Sequence, residues 1–262
     1  MPIMIKFLCG LLFFVSLSIA AEGDKVCSYL GDRQAYPSVL LDGVGVCFVY
    51  VETKPEYEGQ LSKDPDGISA YSGLSSGKIS IVYEFLYAGT EGRIENAFVL
   101  SAGSDSENML FVIHSIEKPR SWDPVSDIYD VSVMVVRNGN LVRDEKLSRF
   151  FDMGGDFVDA QGRPTYIYPY KDRTSVETVV RSSLFKALRY SSSVEGTVRE
   201  KSFFYGGEAE PSQHDRRKNY LIKDDKVTVD DSTGGWCRVT YAAKAIPITM
   251  WMQCKAITFS EE

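Results

Sequence analysis

Short runs of apolar and aromatic residues, each about the length of one β-strand, divide this chain, with Gly, Asp and Asn between them. The runs cover residues 44–51, 78–87, 95–101, 109–116, 129–136, 140–144 and 165–168. In the run 109–116 both alternating faces are mostly apolar, which predicts a central strand covered on both sides. Asn138 and Gly139 separate two runs, and this pair favours the type I′ turn of a β-hairpin. The pattern predicts a mainly antiparallel β structure.

One segment has helical rather than strand periodicity. Residues Thr174 to Glu177 have the form of a capping box, with Thr174 as the cap and Glu177 reaching back to its amide. Apolar residues then follow at helical spacing: Val176, Val179, Val180, Leu184, Ala187 and Leu188. They predict one amphipathic helix packed on a sheet. With a long polar loop over residues 52–77, the predicted fold class is α+β, mainly antiparallel β with one amphipathic helix.

The first 21 residues have the pattern of a secretory signal peptide. One cation, Lys6, precedes an apolar run over residues 7–19, and the small residues Ser18 and Ala20 precede the expected cleavage point. A membrane span needs about 20 apolar residues, so this run is too short to be an anchor. We therefore expect an exported, periplasmic protein with no stable membrane insertion.

Four cysteines follow the signal-like segment: Cys27, Cys47, Cys237 and Cys254. Four cysteines allow three pairings, and proximity along the chain favours Cys27–Cys47 and Cys237–Cys254. The alternatives are a zinc site or a catalytic thiol. The chain has no Cys-x-x-Cys motif and two histidines, and exported chains meet an oxidising compartment. We expect two disulfides, no metal and no cofactor.

The C-terminal region has the most specific pattern in the chain, carried by Tyr220, Leu221, Asp225, Val227, Gly235, Trp236, Val239 and Trp251. On these residues, about the last 60 residues resemble the bacterial SH3-like (SH3b-type) domain family, although Asp224 and Met250 stand where that family usually has glycine. The resemblance implies a small SH3-like β-barrel over residues 220–262 that binds peptides or cell-wall material. The polar residues 206–219 then predict a linker after an α+β domain of residues 22–205. No family is recognised for residues 22–200.

Two strands near the C-terminus, residues 236–243 and 248–255, predict an antiparallel hairpin with Cys237 directly opposite Cys254. This register places both cysteines on the apolar face, close enough for a disulfide. The candidate groove residues of the module are Tyr220, Trp236, Thr240 and Trp251. Packing of these aromatic residues in a small core is the alternative interpretation. A second candidate interface, defined by density of aromatic residues, consists of Tyr166, Tyr168 and Tyr170.

Motifs for catalysis are weak. Ser75 is the central residue of a Gly-x-Ser-x-Gly sequence, but this sequence leads into a strand, whereas a nucleophile elbow leads from a strand into a helix. His114 lies in an apolar strand, where we expect a buried core residue, and His214 lies in the predicted linker. Acidic residues that are candidates for acid–base chemistry are Asp123, Asp127 and Asp130. We predict no catalytic residues and no enzyme activity.

The charge balance bears on the choice of partner. Lys and Arg number 29 against 36 Asp and Glu, a net charge of −7, which argues against nucleic-acid binding because that depends on basic surfaces. The hypothesis we favour is a non-enzymatic periplasmic binding protein, an inhibitor or immunity-type protein for a partner such as a periplasm-targeted toxin. The first alternative is a cell-envelope protein that binds peptidoglycan stem peptides through the SH3-like domain. The second is a serine-type hydrolase.

Overall fold

A computed structural model describes residues 27–51, 67–73, 79–102, 107–207, 209–242 and 246–259. The predicted signal peptide and Ser75 lie outside these residues. In the described residues the chain is mostly antiparallel β, with four sheets and three short α-helices. The predicted α+β class with one amphipathic helix is therefore wrong.

Two four-stranded sheets come first, each with its strands in chain order. The strands of the first sheet are β1 (Gln34–Leu41), β2 (Val44–Val51), β3 (Gly67–Gly73) and β4 (Ile79–Glu84). Those of the second sheet are β5 (Gly92–Ala102), β6 (Glu107–Ile116), β7 (Ile128–Arg137) and β8 (Asn140–Arg143).

The remaining strands form a small ribbon and a large sheet. The ribbon pairs β9 (Phe157–Val158) with β10 (Pro164–Tyr166). The large sheet has the order β13-β12-β16-β15-β14-β11-β17. Its strands are β11 (Val194–Val198), β12 (Ser202–Tyr205), β13 (Arg216–Leu221), β14 (Lys226–Thr233), β15 (Trp236–Tyr241), β16 (Ile248–Gln253) and β17 (Ile257–Phe259). The helices are α1 (Glu145–Phe151), α2 (Arg173–Val180) and α3 (Ser183–Arg189).

The second sheet lies in the middle of the core. Leu110 and Val112 of β6 pack in a cluster with residues of the first sheet. Phe111 and Ile113, on the opposite face of β6, pack in a cluster with the helices and the large sheet. Residues Met109 to Ile116 are all buried, as the two-sided apolar pattern predicted.

The hairpin of β7 and β8 has the turn that the sequence predicted. Asn138 and Gly139 have φ values of 53° and 75°, which are the left-handed values that a type I′ turn needs. The turn joins β7 to β8 with Arg137 paired to Asn140. This part of the sequence prediction is confirmed.

The predicted helix is broken into two. The side chain of Asp172, not Thr174, accepts the N–H of Ser175 and caps α2, and α2 ends before Arg181. Ser182 then accepts the N–H of Phe185 and caps α3. Glu177 is paired with Arg173 rather than reaching back to the cap. Val176, Val180, Leu184 and Leu188 of the predicted apolar stripe are buried, because the break leaves both helices facing the same core. Val179 and Ala187 are partly buried.

The predicted loop over residues 52–77 is also wrong in part. Residues Gly67–Gly73 form β3, and all seven are buried between β2 and β4. Small residues such as Ser69 and Ala70 let these strands pack closely, but the same composition is typical of a loop. Residues 52–66 and 74–78 lie outside the described residues.

Both predicted disulfides are present. Cys27 is bonded to Cys47 and Cys237 to Cys254. The register predicted for the second pair is wrong, because Met252 stands opposite Cys237. Cys254 follows β16 and begins the 3-10 turn Cys254–Ala256. Its disulfide therefore runs diagonally to Cys237 on β15, and the two Cα atoms are 5.0 Å apart. A shift of two residues keeps the same face inward, so the apolar pattern could not detect it.

Strands from both sides of the predicted linker share the large sheet. β11 and β12 precede residues 206–219, and β14 to β17 follow them. The end of the predicted linker is itself part of β13, which pairs with β12. The connection between these two strands lies beside the groove described next.

Candidate functional site

A surface groove of about 290 Å³ opens where four loops of the molecule meet. These are the loop before β7, the loop after α1, the loop before β13 and the turn between β14 and β15. The lining residues are Trp122, Pro124, Ile128, Asp152, Met153, Gly154, Gly155, Phe157, Tyr166, Pro211, Gln213, Thr233, Gly234 and Trp236. We call this feature the aromatic groove.

Trp236 contributes to the aromatic groove and is held by stacked rings. Its ring is parallel to that of Tyr166, with centroids 5.1 Å apart and an angle of 8° between planes. Tyr205 contacts the Trp236 ring as well, at 4.9 Å. Phe157 packs against Tyr166, and His214 packs edge-on against Phe157. Stacked rings of this kind fix one another, so the groove is preorganised.

A glycine turn places Trp236. Gly234 and Gly235 have φ values of 52° and 81°, which glycine adopts without a steric penalty. A Cβ on Gly235 would also lie 2.7 Å from Cγ of Pro169. The hydroxyl of Tyr166 donates to the carbonyl of Gly234, which ties the stacked ring to the turn. Burial raises the pKa of the Tyr166 hydroxyl well above its usual value, so this group stays a donor.

A strained turn after α1 forms a neighbouring part of the groove wall. Asp152 has a φ of 24°, a value that non-glycine residues rarely adopt. Its carboxylate accepts the N–H of Met153 and the hydroxyl of Thr233, and these bonds hold the conformation. The side chain of Met153 is 52% exposed at the groove. The turn therefore presents a flexible apolar side chain beside a carboxylate.

The groove has acidic surroundings. Its fourteen described lining residues include Asp152 and contain no Lys or Arg. Asp123, between Trp122 and Pro124, has a side chain that is 75% exposed and lies 3.4 Å from Nε2 of His214. Such a site fits a ligand that carries a positive charge beside an apolar group.

Two of the sequence-predicted residues meet at the base of the aromatic groove, namely Trp236 from the predicted groove and Tyr166 from the predicted interface. Both also belong to the main core cluster and are 7% and 5% exposed, so each offers only a small part of its surface to the groove. The others lie elsewhere. Trp251 is fully buried in the core, and the hydroxyl of Thr240 is bonded to that of Thr249. Tyr220 is exposed on β13 and packs against Phe203.

The predicted tyrosine interface needs a correction. Tyr168 and Tyr170 are 1% and 4% exposed and belong to the main core cluster. The hydroxyl of Tyr168 donates to the carbonyl of Phe151 at 2.8 Å. The alternation of a β-strand predicted Tyr166 and Tyr168 on one face, but both rings pack against other residues of the core. These residues therefore support the site rather than form an exposed surface.

Sequence reasoning missed Trp122, Met153, Phe157 and Gln213. Trp122, Met153 and Gln213 lie in irregular segments and Phe157 in a strand of two residues, so no periodicity marks them. The Oε1 atom of Gln213 is buried without a hydrogen-bond partner, whereas its Nε2 donates to Thr165. The Gly154-Gly155 pair is the one signal available, because each glycine allows a close approach, to Tyr168 and to Pro124 respectively.

The catalytic candidates form no accessible site, because His114 and Asp130 stand opposite each other in β6 and β7 but are both buried. His114 is 2% exposed, its ring is stacked on Phe85, and burial lowers its pKa to about 4. Asp130 is buried beside Ser132, and desolvation raises its pKa. Asp127 is paired instead with Arg93 at the surface.

Among the described residues, no group of three or more His, Cys, Asp or Glu is placed to hold a metal ion. No helix in the described ranges is long and apolar enough to cross a membrane. No protein-family model matches the chain, and comparisons with curated proteins and with solved structures also find no match.

Proposed function

We propose that this chain is an exported, non-enzymatic binding protein that holds a segment of a partner protein in the aromatic groove. The partner segment carries a large apolar side chain flanked by Lys or Arg. The observation that carries the proposal is the stacked Trp236–Tyr166 pair in a groove whose described lining contains Asp152 and no cation. An inhibitor or immunity-type protein for a basic toxin delivered to the periplasm is the role that we infer from this chemistry.

The groove is large enough to hold one or two anchoring side chains of a partner. Its volume of about 290 Å³ lies at the lower end of the range for small-molecule sites. Interfaces are typically anchored by a few aromatic or apolar residues that enter such pockets. Met153 supplies an adaptable apolar wall, because methionine has an unbranched and polarizable side chain.

Electrostatics supports a basic partner. The whole chain has a net charge of −7, Asp152 lines the groove, and Asp123 lies between two of its lining residues, Trp122 and Pro124. Complementary charge accelerates encounter with an oppositely charged partner and suppresses unsuitable ones. Export is supported by the two disulfides and by the signal-like segment at residues 1–21.

The alternative of a peptidoglycan stem peptide has less support in the groove. Stem peptides carry free carboxylates, and the described lining offers them no Lys or Arg. The hydrolase alternative rests on Ser75, which lies outside the described residues. His114, the strand histidine, is buried in the core.

Selection of peptides from a random displayed library on the disulfide-bonded protein tests the proposal. We expect enrichment of sequences with Trp, Phe or Leu next to Lys or Arg. A counter-selection on a Met153→Lys variant, which places a cation in the groove, should remove them. Enrichment of acidic or purely polar sequences, or equal recovery on the variant, would contradict the proposal.

A further inference from the structure

The edge strand of the large sheet carries a second distinctive surface. β13 pairs with β12 on one side, and in the described part of the chain it has no strand on its other side. Residues Arg216 to Tyr220 are all exposed, whereas Leu221 is buried. Exposed edges of this kind offer backbone N–H and C=O groups to another strand.

The cations on this edge are held by aromatic rings. Nζ of Lys201 lies 4.0 Å from the centre of the Tyr220 ring. Cζ of Arg216 lies 4.5 Å from the centre of the Phe203 ring, and Phe203 contacts Tyr220. Cation–π contacts orient these charges without neutralising them.

These cations lack acidic partners. In the ranges that the structure describes, Lys201, Arg216 and Lys218 form no ion pair with a carboxylate, whereas Arg217 pairs with Asp215. The one arginine in the other strands of the large sheet, Arg238, is paired with Asp230. Within these ranges, Arg216 and Lys218 therefore present positive charge without a carboxylate partner, on a chain whose net charge is −7.

The charges decide between possible occupants of the edge. A second copy pairing through its own β13 would bring Arg and Lys side chains together, which is destabilising. A nucleic acid would stack its bases on ring faces, but a cation already covers a face of both Phe203 and Tyr220. An acidic strand avoids both problems, because its carboxylates can pair with the exposed Arg216 and Lys218.

We propose that β13 is a strand-addition site for an extended acidic segment of a partner protein. The segment adds to the large sheet by backbone hydrogen bonds, and its alternate carboxylates pair with Arg216 and Lys218. This surface rests on observations separate from those for the aromatic groove, so either site can fail without the other.

An NMR titration of the full, disulfide-bonded chain tests this proposal. The probe is a blocked peptide that alternates glutamate with threonine. We expect shifts of the backbone amides of β13 and β12, and binding about tenfold weaker in Lys218→Glu. Lys186→Glu, a matched charge reversal on an exposed residue of α3, should bind within about twofold of the wild type.

Two further probes separate strand addition from charge attraction alone. The same acidic peptide with N-methylated amides keeps its charge but cannot pair as a strand, so we expect its binding to be lost. A single-stranded oligothymidine of equal charge should cause no shifts in β13. Binding by the methylated peptide, equal binding by the oligonucleotide, or no binding by the acidic peptide would each overturn the proposal.

Discussion

His114 shows how a single residue couples the core to pH. It lies in β6 opposite Asp130 of β7, and its ring is stacked on that of Phe85, which follows β4. Burial lowers its pKa from 6.5 to about 4, so the folded state keeps the ring neutral where the unfolded chain protonates it. The free energy of unfolding therefore falls as the pH is lowered from 6.5 to 4, by at most about 3 kcal/mol from this residue.

Comparison with His114→Gln isolates this contribution. Urea unfolding at several pH values should give a shallower decline for the variant between pH 6.5 and 4. The raised pKa of Asp130 acts in the opposite sense, because its stabilising effect is lost as the pH rises, so the difference between the two chains is the informative quantity. Parallel pH profiles for wild type and variant would contradict the assignment.

Gly235 combines two constraints that can be measured separately. Alanine at Gly235 meets both a positive φ and Pro169, whereas alanine at Gly139 meets a positive φ alone. We expect Gly139→Ala to lose about 1–2 kcal/mol of unfolding free energy and Gly235→Ala to lose more. Gly207→Ala, which meets neither constraint, is the control in the same thermal unfolding series. Equal losses at Gly235 and Gly139 would mean that the contact with Pro169 is relieved at no cost.

At the scale of elements, the caps that divide the predicted helix are testable. Asp172→Ala and Ser182→Ala each remove an acceptor from a helix N-terminus and should each cost about 1 kcal/mol of unfolding free energy. Thr174→Ala should cost little, because Asp172 caps α2 and Thr174 is exposed. Chemical unfolding of the three variants measures this. A larger loss of unfolding free energy for Thr174→Ala than for Asp172→Ala would contradict this assignment and support the predicted capping box.

Elements with a strong pattern were predictable from sequence. The bounds of β2 match those of its apolar run, and the two-sided pattern of residues 109–116 correctly identified a strand that is buried on both faces. The helix break was not predictable from the apolar pattern. The helix is interrupted at Ser182, but Val180 before the break and Leu184 after it continue the same apolar stripe. β3 was missed because its small polar residues are typical of turns, although neighbouring strands bury them.

The candidate site was less predictable than the strands. Trp236 was identified from its strand, but the rest of the aromatic groove comes from loops that belong to different parts of the fold. Which loops meet depends on how the middle sheet, the helices and the large sheet stack, and local patterns carry no information about that. Trp251 has the same residue type as Trp236, yet the register with Arg238 and Tyr205 places it in the core.

At the scale of the whole molecule, three layers of sheet with helices between them leave the functional surface to the connecting loops. The core clusters join the first sheet to the middle sheet and the middle sheet to the large sheet. The stacked rings and the bonded turn of Asp152 hold the aromatic groove in one arrangement. A preorganised surface loses less entropy on binding, which suits the binding function that we propose.

The affinity for a selected basic, apolar peptide tests the central claim most directly. Tryptophan fluorescence titrations should give a dissociation constant at least about tenfold higher for Met153→Lys than for the wild type. Ile81→Lys, a matched change at an exposed residue of β4 outside the groove, should leave it within about twofold. Equal weakening by both variants, or none by Met153→Lys, would contradict binding in the aromatic groove.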